Sequence, residues 1–203
     1  MISIGCRCYK AHFILLTIIF INHLTFAACL SGTDYYKIYI HSKRLGEKIV
    51  FDVPEKFHPK IFENSFILNF GYPDIDPHPI NSYLNKKSTV RLIIDGDGVG
   101  NSRADRELDN ENKKYSKTEG GVDVYQGEVR NGYSTSYYSF KNKNGATILF
   151  EDNGSIATSY YYYDRLSAVD LRGTVSKDIR VNFKKIDYDI GNFVNGLICD
   201  GGQ

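Results

Sequence analysis

Carboxylates and glycines cluster in the segment 95–101, directly after the most apolar strand pattern of the mature chain. Several oxygen ligands on a tight turn are the arrangement that calcium prefers. The segment fails the EF-hand pattern, because position five is Val99 and position twelve is Arg106, where that motif needs an acid or amide and a glutamate. A looser calcium site is a hypothesis, and its ligands would be Asp95, Asp97, Asn101 and Asp105. The alternative is a glycine turn whose polar side chains bond their own backbone.

Paired carboxylates can also do general acid–base chemistry, and the chain has two such pairs, Asp74 with Asp76 and Asp95 with Asp97. Both pairs lie in proline- or glycine-rich turns, where aspartate is an ordinary occupant. The mature sequence contains no Gly-x-Ser-x-Gly, His-Glu-x-x-His or Cys-x-x-Cys motif and no phosphate-binding glycine loop. We therefore predict that the protein is not an enzyme and that, apart from the calcium hypothesis, it has no cofactor.

Proline and aspartate dominate the segment 71–79, which contains Pro73, Pro77 and Pro79. Proline fixes φ and biases the preceding residue towards extended conformations, so we predict a stiff loop without regular structure. Such a loop suits a shaped binding edge. The predicted partner-binding residues in it are Tyr72, Asp74, Asp76 and His78. The alternative is a plain connector, in which proline and aspartate serve only the turn.

Tyrosine is the most conspicuous residue type, with 16 in the chain and four consecutive ones. Alternate residues of a strand face opposite sides, so one of two pairs is predicted to point outward. The pairs are Tyr160 with Tyr162 and Tyr161 with Tyr163. Exposed tyrosines are enriched at interface cores, which makes this a second predicted partner-binding surface. The alternative is a sheet face whose hydroxyl groups contact water.

The elements that must position these residues have the pattern of antiparallel strands. Six blocks rich in apolar, aromatic and β-branched residues lie within 122–183, and three of the turns between them contain Asn-Gly. The last block is 178–183, and Gly173 is predicted to separate it from the block before it. Asn-Gly supplies the positive φ that tight hairpins need. Further strands are predicted at 35–40, 47–53, 65–70 and 89–94, and the last of these is predicted to lie centrally in its sheet.

The end of the chain has a helical period instead. Apolar residues from Ile186 to Ile198 recur every three or four positions, which predicts a helix of about three turns. From Arg103 to Glu119, ten of seventeen residues are charged, so we predict a solvated loop with room for one helical turn. The predicted fold class is mainly β (α+β), an antiparallel meander or two-sheet sandwich with a C-terminal helix packed on the sheet. Residues 28–203 are predicted to form one domain.

The N-terminus predicts export. Arg7 and Lys10 precede a nine-residue apolar core, and Ala27 and Ala28 follow it, which is the order of a secretory signal peptide. The core is shorter than the roughly 20 residues that span a bilayer. We predict that residues 1–27 are removed and that the protein works in the periplasm or outer cell envelope. Without Arg7 and Lys10, 23 basic side chains face 24 acidic ones, so no nucleic-acid partner is predicted.

Two cysteines, Cys29 and Cys199, stand near the ends of the mature chain. In an oxidising compartment they would form a disulfide, which is the interpretation that we favour. In the alternative interpretation, the segment 26–29 resembles the bacterial lipobox, although Phe26 stands where that motif usually has leucine. Cys29 would then carry a lipid, and this is the one way in which a membrane enters the prediction.

The layout as a whole resembles the small exported immunity proteins that bacteria carry against type VI secretion effectors. The segments that carry the resemblance are 13–29, 68–73 and 138–145. It implies a periplasmic inhibitor that covers the active site of a toxin, and therefore a toxin effector as the protein partner. It transfers no functional residue to this chain. The alternative function is a calcium- or ligand-binding envelope protein without catalysis.

Overall fold

The computed structural model describes residues 34–78, 88–98, 103–109, 112–130, 132–153, 158–166, 169–176 and 182–199. The strands in these residues are β1 (Tyr35–Ser42), β2 (Glu47–Pro54), β3 (Lys60–Ile61), β4 (Ser65–Gly71), β5 (Thr89–Asp95), β6 (Lys114–Glu119), β7 (Val122–Arg130), β8 (Tyr133–Lys141), β9 (Thr147–Asp152), β10 (Thr158–Leu166) and β11 (Val169–Ser176). The helices are a 3-10 turn (Glu55–Phe57), α1 (Arg103–Leu108) and α2 (Phe183–Leu197). The predicted fold class is confirmed: the protein is mainly β, with antiparallel sheets and a C-terminal helix packed on them.

Nine strands form one antiparallel sheet in the order β3-β4-β5-β11-β10-β9-β8-β7-β6, and β1 pairs with β2 in a separate hairpin. Strands β6 to β11 are consecutive neighbours, as the turn signals of a meander predict. The last strand, β11, then pairs with β5. Strand β5 therefore has neighbours on both sides, which confirms its predicted central place in the sheet.

The core lies on one face of this large sheet. The side chains of Phe66, Leu68 and Phe70 lie at alternate positions of β4, and all three are fully buried in the main hydrophobic cluster. The hairpin and α2 cover the same face, because their buried residues belong to the same hydrophobic cluster. Each fully buried side chain of this kind contributes roughly 1.5–3 kcal/mol to the free energy of unfolding. The apolar faces of α2 and of the strands thus hold the layers together.

Helix α2 confirms the predicted C-terminal helix and begins three residues earlier, at Phe183. Asn182 caps it, because its Oδ1 accepts the backbone N–H of Lys185 at 3.0 Å. Within the described ranges, no helix combines the length and the apolar character that crossing a bilayer requires.

The charged segment 103–119 was predicted as a solvated loop with room for one helical turn; α1 fits that turn, but the strand β6 was not predicted. All six residues of β6 are exposed, and the strand pairs with β7 at the edge of the sheet. Strand pairing satisfies the hydrogen bonds of backbone N–H and C=O groups whatever the side chains are. Charged side chains are common on the edge strand of a sheet, where they discourage pairing with another chain. Hydrophobic periodicity does not detect a strand of this kind.

Gly173 was predicted to separate two strands, but it lies inside β11. A Cβ atom at this position would lie 2.0 Å from the carbonyl oxygen of Arg91 on β5. Glycine is required here because two strands approach closely, which is one of the roles of glycine within a strand. The strand predicted at 178–183 ends at the first residue of α2, and residues 177–181 lie outside the described part of the chain.

Candidate functional site

A groove of about 550 Å³ runs between α2 and the proline loop, the name used here for residues 71–78. One wall comes from the end of β2, the 3-10 turn and the loop, and its lining residues are apolar except for Lys56. The other wall is α2. The residues that line the groove are Pro54, Lys56, Phe57, Pro73, Ile75, Lys185, Asp189, Asn192 and Phe193. It is a surface groove with an apolar floor and two lysines among its lining residues.

The proline loop is tied to the sheet by its backbone. The N–H of Tyr72 donates to the carbonyl oxygen of Ser88 at 2.8 Å, and the N–H of His78 donates to that of Asn69 at 3.0 Å. Within the loop, the N–H of Gly71 donates to the carbonyl oxygen of Asp76 at 2.7 Å. The prediction of a stiff loop is therefore met by hydrogen bonds as well as by proline.

Ile75 lies at the groove with φ at 53°, in the left-handed region. For a β-branched residue this is a true outlier, and it costs roughly 1–3 kcal/mol. The side chain is half-buried and packs against the core cluster. The surrounding contacts therefore hold the loop in a conformation that the isolated segment would not favour.

Tyr72 connects the loop to α2. Its hydroxyl group donates to Oδ2 of Asp189 at 2.7 Å, and Nζ of Lys185 donates to the same oxygen at 2.6 Å. Burial, and then the hydrogen bond to Asp189, raise the pKa of Tyr72 well above its usual value of 10.0. The phenol therefore remains a donor at neutral pH. Tyr72 is half-buried, and its bond to Asp189 fixes the proline loop relative to α2.

The other predicted residues of the proline loop are distributed differently. Asp74 and Asp76 are exposed, and His78 is half-buried. A Cβ atom on Gly71 would lie 3.0 Å from Nε2 of His78, so that imidazole packs on the start of the loop. Two of the four predicted contact residues thus face solvent, and the other two support the loop.

The four consecutive tyrosines lie on β10, between β9 and β11. The backbone register pairs Tyr161 with Phe150 and Tyr163 with Ile148. The side chains of Tyr160–Tyr163 lie outside the described part of the structure, so the predicted outward pair stays a prediction.

In the predicted calcium loop, the carboxylate of Asp97 bonds other side chains of the protein. Oδ1 of Asp97 lies 2.9 Å from Nζ of Lys43 and accepts a hydrogen bond from the amide of Asn64 at 2.8 Å. The hydrogen bond from Lys43 holds the pKa of Asp97 below its usual range, and Asp97 raises that of Lys43. The N–H of Asp97 also donates to Oδ1 of Asp95 at 2.9 Å, as the glycine-turn alternative predicts.

This segment, 95–98, is called the Gly96 turn below, and it joins the β1–β2 hairpin to the large sheet. The N–H of Lys43 donates to the carbonyl oxygen of Gly96 at 2.9 Å, and the N–H of Gly96 donates to that of Asn64 at 3.1 Å. A Cβ atom on Gly96 would lie 2.4 Å from the carbonyl oxygen of His41. The turn can therefore approach the hairpin this closely only with glycine at position 96.

Asp105, the third described ligand of the calcium hypothesis, lies elsewhere. Its Oδ1 accepts a hydrogen bond from the hydroxyl group of Thr147, at the start of β9, and lies 3.7 Å from Nζ of Lys141. Strands β5 and β9 are three places apart in the sheet, or roughly 14 Å. Asn101 lies outside the described residues. In the part of the chain that the structure describes, no three His, Cys, Asp or Glu side chains are grouped as a metal site.

Cys199 is disulfide-bonded, which is the state that the disulfide prediction requires of it. Its N–H donates to the carbonyl oxygen of Val50 at 2.9 Å, and Ile198 bridges to Phe51. The end of α2 is thus fastened to β2. Cys29 lies outside the described residues, so its pairing with Cys199 stays a prediction.

Sequence reasoning missed the exposed crest of α2, formed by Lys184, Lys185, Tyr188 and Asn192. Tyr188 is 53% exposed, although it is a large aromatic residue. The signal was present in the sequence, because these residues recur on the side of the helix opposite its apolar face.

No protein-family model matches the chain, and no curated protein sequence matches it. Among solved structures, the chain is similar to the iron-regulated outer membrane lipoprotein FrpD of Neisseria meningitidis. The TM-score is 0.46 and the sequence identity is 14%, over 79% of this chain and 93% of that chain. A likeness at that level supports no statement about function, so the proposal below rests on this chain's own residues.

Proposed function

We propose that the mature chain is an exported protein-binding module and that the groove between the proline loop and α2 is its contact surface. The observation that carries the proposal is the bracing of the loop. Backbone bonds to the sheet and the Tyr72–Asp189 bond hold one loop conformation at the groove, against the unfavourable φ of Ile75. A pre-organised surface loses little conformational entropy when a partner binds.

The chemistry of the groove suggests the kind of segment that it accepts. Phe57, Ile75 and Phe193 supply apolar surface, and Phe193 packs against Phe57 with ring centres 5.3 Å apart. Lys56 and Lys185 lie along the groove and outweigh Asp189, which Lys185 bonds, so the lining is positive overall and favours carboxylates. The proposed occupant is therefore a segment of a protein partner that presents an apolar side chain next to acidic ones.

The finer proposal is that the protein is a periplasmic immunity or inhibitor protein that neutralises a secreted toxin. It is supported by the signal-peptide pattern of residues 1–27 and by the resemblance of the layout to exported immunity proteins. Covering an active site requires a rigid surface and no chemistry of its own. The braced groove is such a surface.

Site-specific photocrosslinking tests the proposal. We expect benzoylphenylalanine at Asn192, on the rim of the groove, to form one protein adduct in envelope extract. The same residue at Val129, which is 68% exposed on β7, should form none. With the captured partner purified, Asn192→Arg should weaken binding at least about tenfold, measured by calorimetry, because it blocks the groove. Val129→Arg is the matched control.

Two outcomes would contradict the proposal. One is the same adducts from both positions, which would indicate non-specific contact. The other is a purified partner that binds the Asn192→Arg and Val129→Arg proteins equally well. The immunity role has its own measurement, because the captured protein should be toxic in the periplasm and lose that toxicity when this chain is co-expressed.

A further inference from the structure

A second recess, of about 180 Å³, lies on the other flank of α2 from the groove. It is bounded by the end of β8, by the loop after it and by the first turns of α2. Its lining includes Phe140, Lys141, Lys143, Lys184, Asp187 and Tyr188. We call it the lysine recess, because three of these six residues are lysines.

The three ammonium groups are held in place by neighbouring groups. Nζ of Lys184 donates to the carbonyl oxygen of Gly120 at 2.8 Å and lies 5.9 Å from the ring centre of Phe140. Nζ of Lys143 lies 5.4 Å from the ring centre of Tyr188. An ammonium has three N–H donors, so such contacts position it without exhausting its capacity to bind an anion.

Lys141, the third lysine, bonds Thr147 and lies 3.7 Å from Oδ1 of Asp105. This pair is more than one-third exposed on both sides, so solvent screens it and the interaction is weak. The ammonium of Lys141 is nevertheless directed towards Thr147 and Asp105, so Lys143 and Lys184 are the two ammonium groups available to a ligand in the recess. Lys143 and Lys184 together outweigh Asp187, so the lining is positive overall.

The loop that carries Lys143 is also pre-organised. Oδ1 of Asn142 accepts the N–H groups of Asn144 and Ala146, each at 3.0 Å. The N–H of Asn142 donates to the carbonyl oxygen of Ala146, also at 3.0 Å. Little loop entropy remains to be lost on binding.

Apolar surface lies next to these charges. Phe140 forms the floor and is 6% exposed, and the ring of Tyr188 stands at the rim with half of its surface in solvent. Tyrosine is enriched in interface hot spots, and this one stands beside a positively charged recess. The recess has the size of one side chain, so it suits a carboxylate better than a polyanion.

We infer that the lysine recess binds the carboxylate of an acidic protein segment, with Tyr188 packing on the neighbouring apolar side chain of that segment. The inference deepens the proposed function and rests on it, because it specifies the chemistry of the partner. Lys184 and Lys185 are adjacent on the crest of α2, with the recess on one flank and the groove on the other. One acidic segment that crosses α2 can therefore contact both.

The test uses fluorescence polarisation and a labelled decapeptide of Glu and Ser with one central Phe. The matched probe has Gln in place of every Glu. We expect the Glu peptide to bind the mature protein and the Gln peptide not to bind. Lys143→Gln with Lys184→Gln should weaken binding of the Glu peptide at least about fivefold. The control variant, Lys48→Gln with Lys114→Gln, removes the same charge from remote exposed positions and should change affinity less than about twofold.

Equal losses in the two double variants would overturn the inference, because they would indicate non-specific attraction. Failure of the native protein to bind the Glu peptide would overturn it as well, as would stronger binding of inorganic phosphate at the same lysines. Circular dichroism of each variant verifies that the fold is intact.

The outcomes separate this inference from the proposed function. A partner captured through the groove whose affinity is unchanged by Lys143→Gln with Lys184→Gln overturns the recess alone. Recess-dependent binding of the Glu peptide, without any adduct from Asn192, supports the recess and contradicts the groove.

Discussion

The proline loop and the Gly96 turn follow neighbouring strands, β4 and β5, and each carries two aspartates two residues apart. Because those strands are antiparallel, the two segments lie at opposite ends of the sheet. In the Gly96 turn, Asp97 bonds Lys43 and Asn64, and the carboxylates serve the junction with the hairpin. In the proline loop, Asp74 and Asp76 are exposed and the bracing comes from Tyr72. Similar sequence signatures therefore serve a structural joint in one place and an accessible groove in the other.

The difference comes from what packs against each segment. The hairpin lies directly on the Gly96 turn, so close that no Cβ atom fits at Gly96. The proline loop meets α2 through one side-chain bond and leaves a groove beside it. Loops that leave a shaped space on a rigid scaffold are the usual carriers of binding sites. This is why the proposed contact surface lies at the proline loop.

The largest expected effect that tests this comparison is that of Gly96→Ala. The new Cβ atom would lie 2.4 Å from the carbonyl oxygen of His41 and 2.5 Å from Cγ2 of Ile40. Backbone must move to relieve these contacts, so we expect the free energy of unfolding to fall by roughly 2–4 kcal/mol, measured by urea denaturation.

Two glycine variants serve as its controls. Gly196→Ala on α2 meets nothing within 4 Å and should stabilise the protein by about 0.5–1 kcal/mol, because alanine favours helix. Gly71→Ala in the proline loop meets only the His78 side chain below 3.4 Å, and that ring can move, so its cost should be smaller than that of Gly96→Ala. A Gly96→Ala protein as stable as the native one would show that the hairpin does not depend on this junction.

Tyr72→Phe has the next largest expected effect and acts on the other segment. It removes the hydrogen bond to Asp189, which should cost about 1.5 kcal/mol because the acceptor is charged. The raised pKa also gives a pH signature. Stability from this phenol is fully present below its usual pKa of 10.0 and is lost as the pH rises through the higher folded pKa.

Ultraviolet absorbance of the ionised phenols measures this pH signature. The native protein should show one tyrosine that ionises last at alkaline pH, and Tyr72→Phe should lack that step. Tyr188→Phe, at an exposed position, is the control and should keep it. If the last step survives in Tyr72→Phe, the brace between the loop and α2 is not formed in solution.

Asp97→Asn should have the smallest effect and the opposite pH dependence. The hydrogen bond from Lys43 lowers the pKa of Asp97, so its stabilising contribution is present above the usual value of 3.8 and is lost as the pH falls through the lower folded pKa. Both side chains are about half-exposed, so salt should weaken the contribution. Thermal melts in acid at low and high salt should show a slightly shallower pH dependence for Asp97→Asn than for Asp74→Asn as control. The same pH dependence for both variants would contradict the assigned role of Asp97.

The strands and the helix were predictable because their signals are local. Blocks of apolar and β-branched residues indicate the strands, Asn-Gly indicates the turns, and the spacing of apolar residues indicates α2. Strand β6 escaped prediction because an exposed edge strand has no apolar face to report. Gly173 was misassigned because a glycine that permits close approach has the same sequence appearance as a glycine in a turn.

The candidate site was predictable only in part. Proline content alone predicted a stiff loop at 71–79, and the loop does line a groove. The role of Tyr72 as an internal brace, and those of Lys185 and Tyr188 on α2, depended on contacts that no local pattern contains. The Tyr72–Asp189 bond joins residues 117 positions apart.

By itself, the sequence determined where the strands with apolar residues lie, which side of α2 must be buried, where most of the turns fall, and that a proline loop must be stiff. The tertiary structure alone decided which surfaces meet. It set the hairpin against the Gly96 turn, β11 against β5, and α2 beside the proline loop. The physical reason is that burial of apolar surface is non-directional. A pattern of apolar residues states that a face must be covered, and only close packing and long-range hydrogen bonds select the element that covers it.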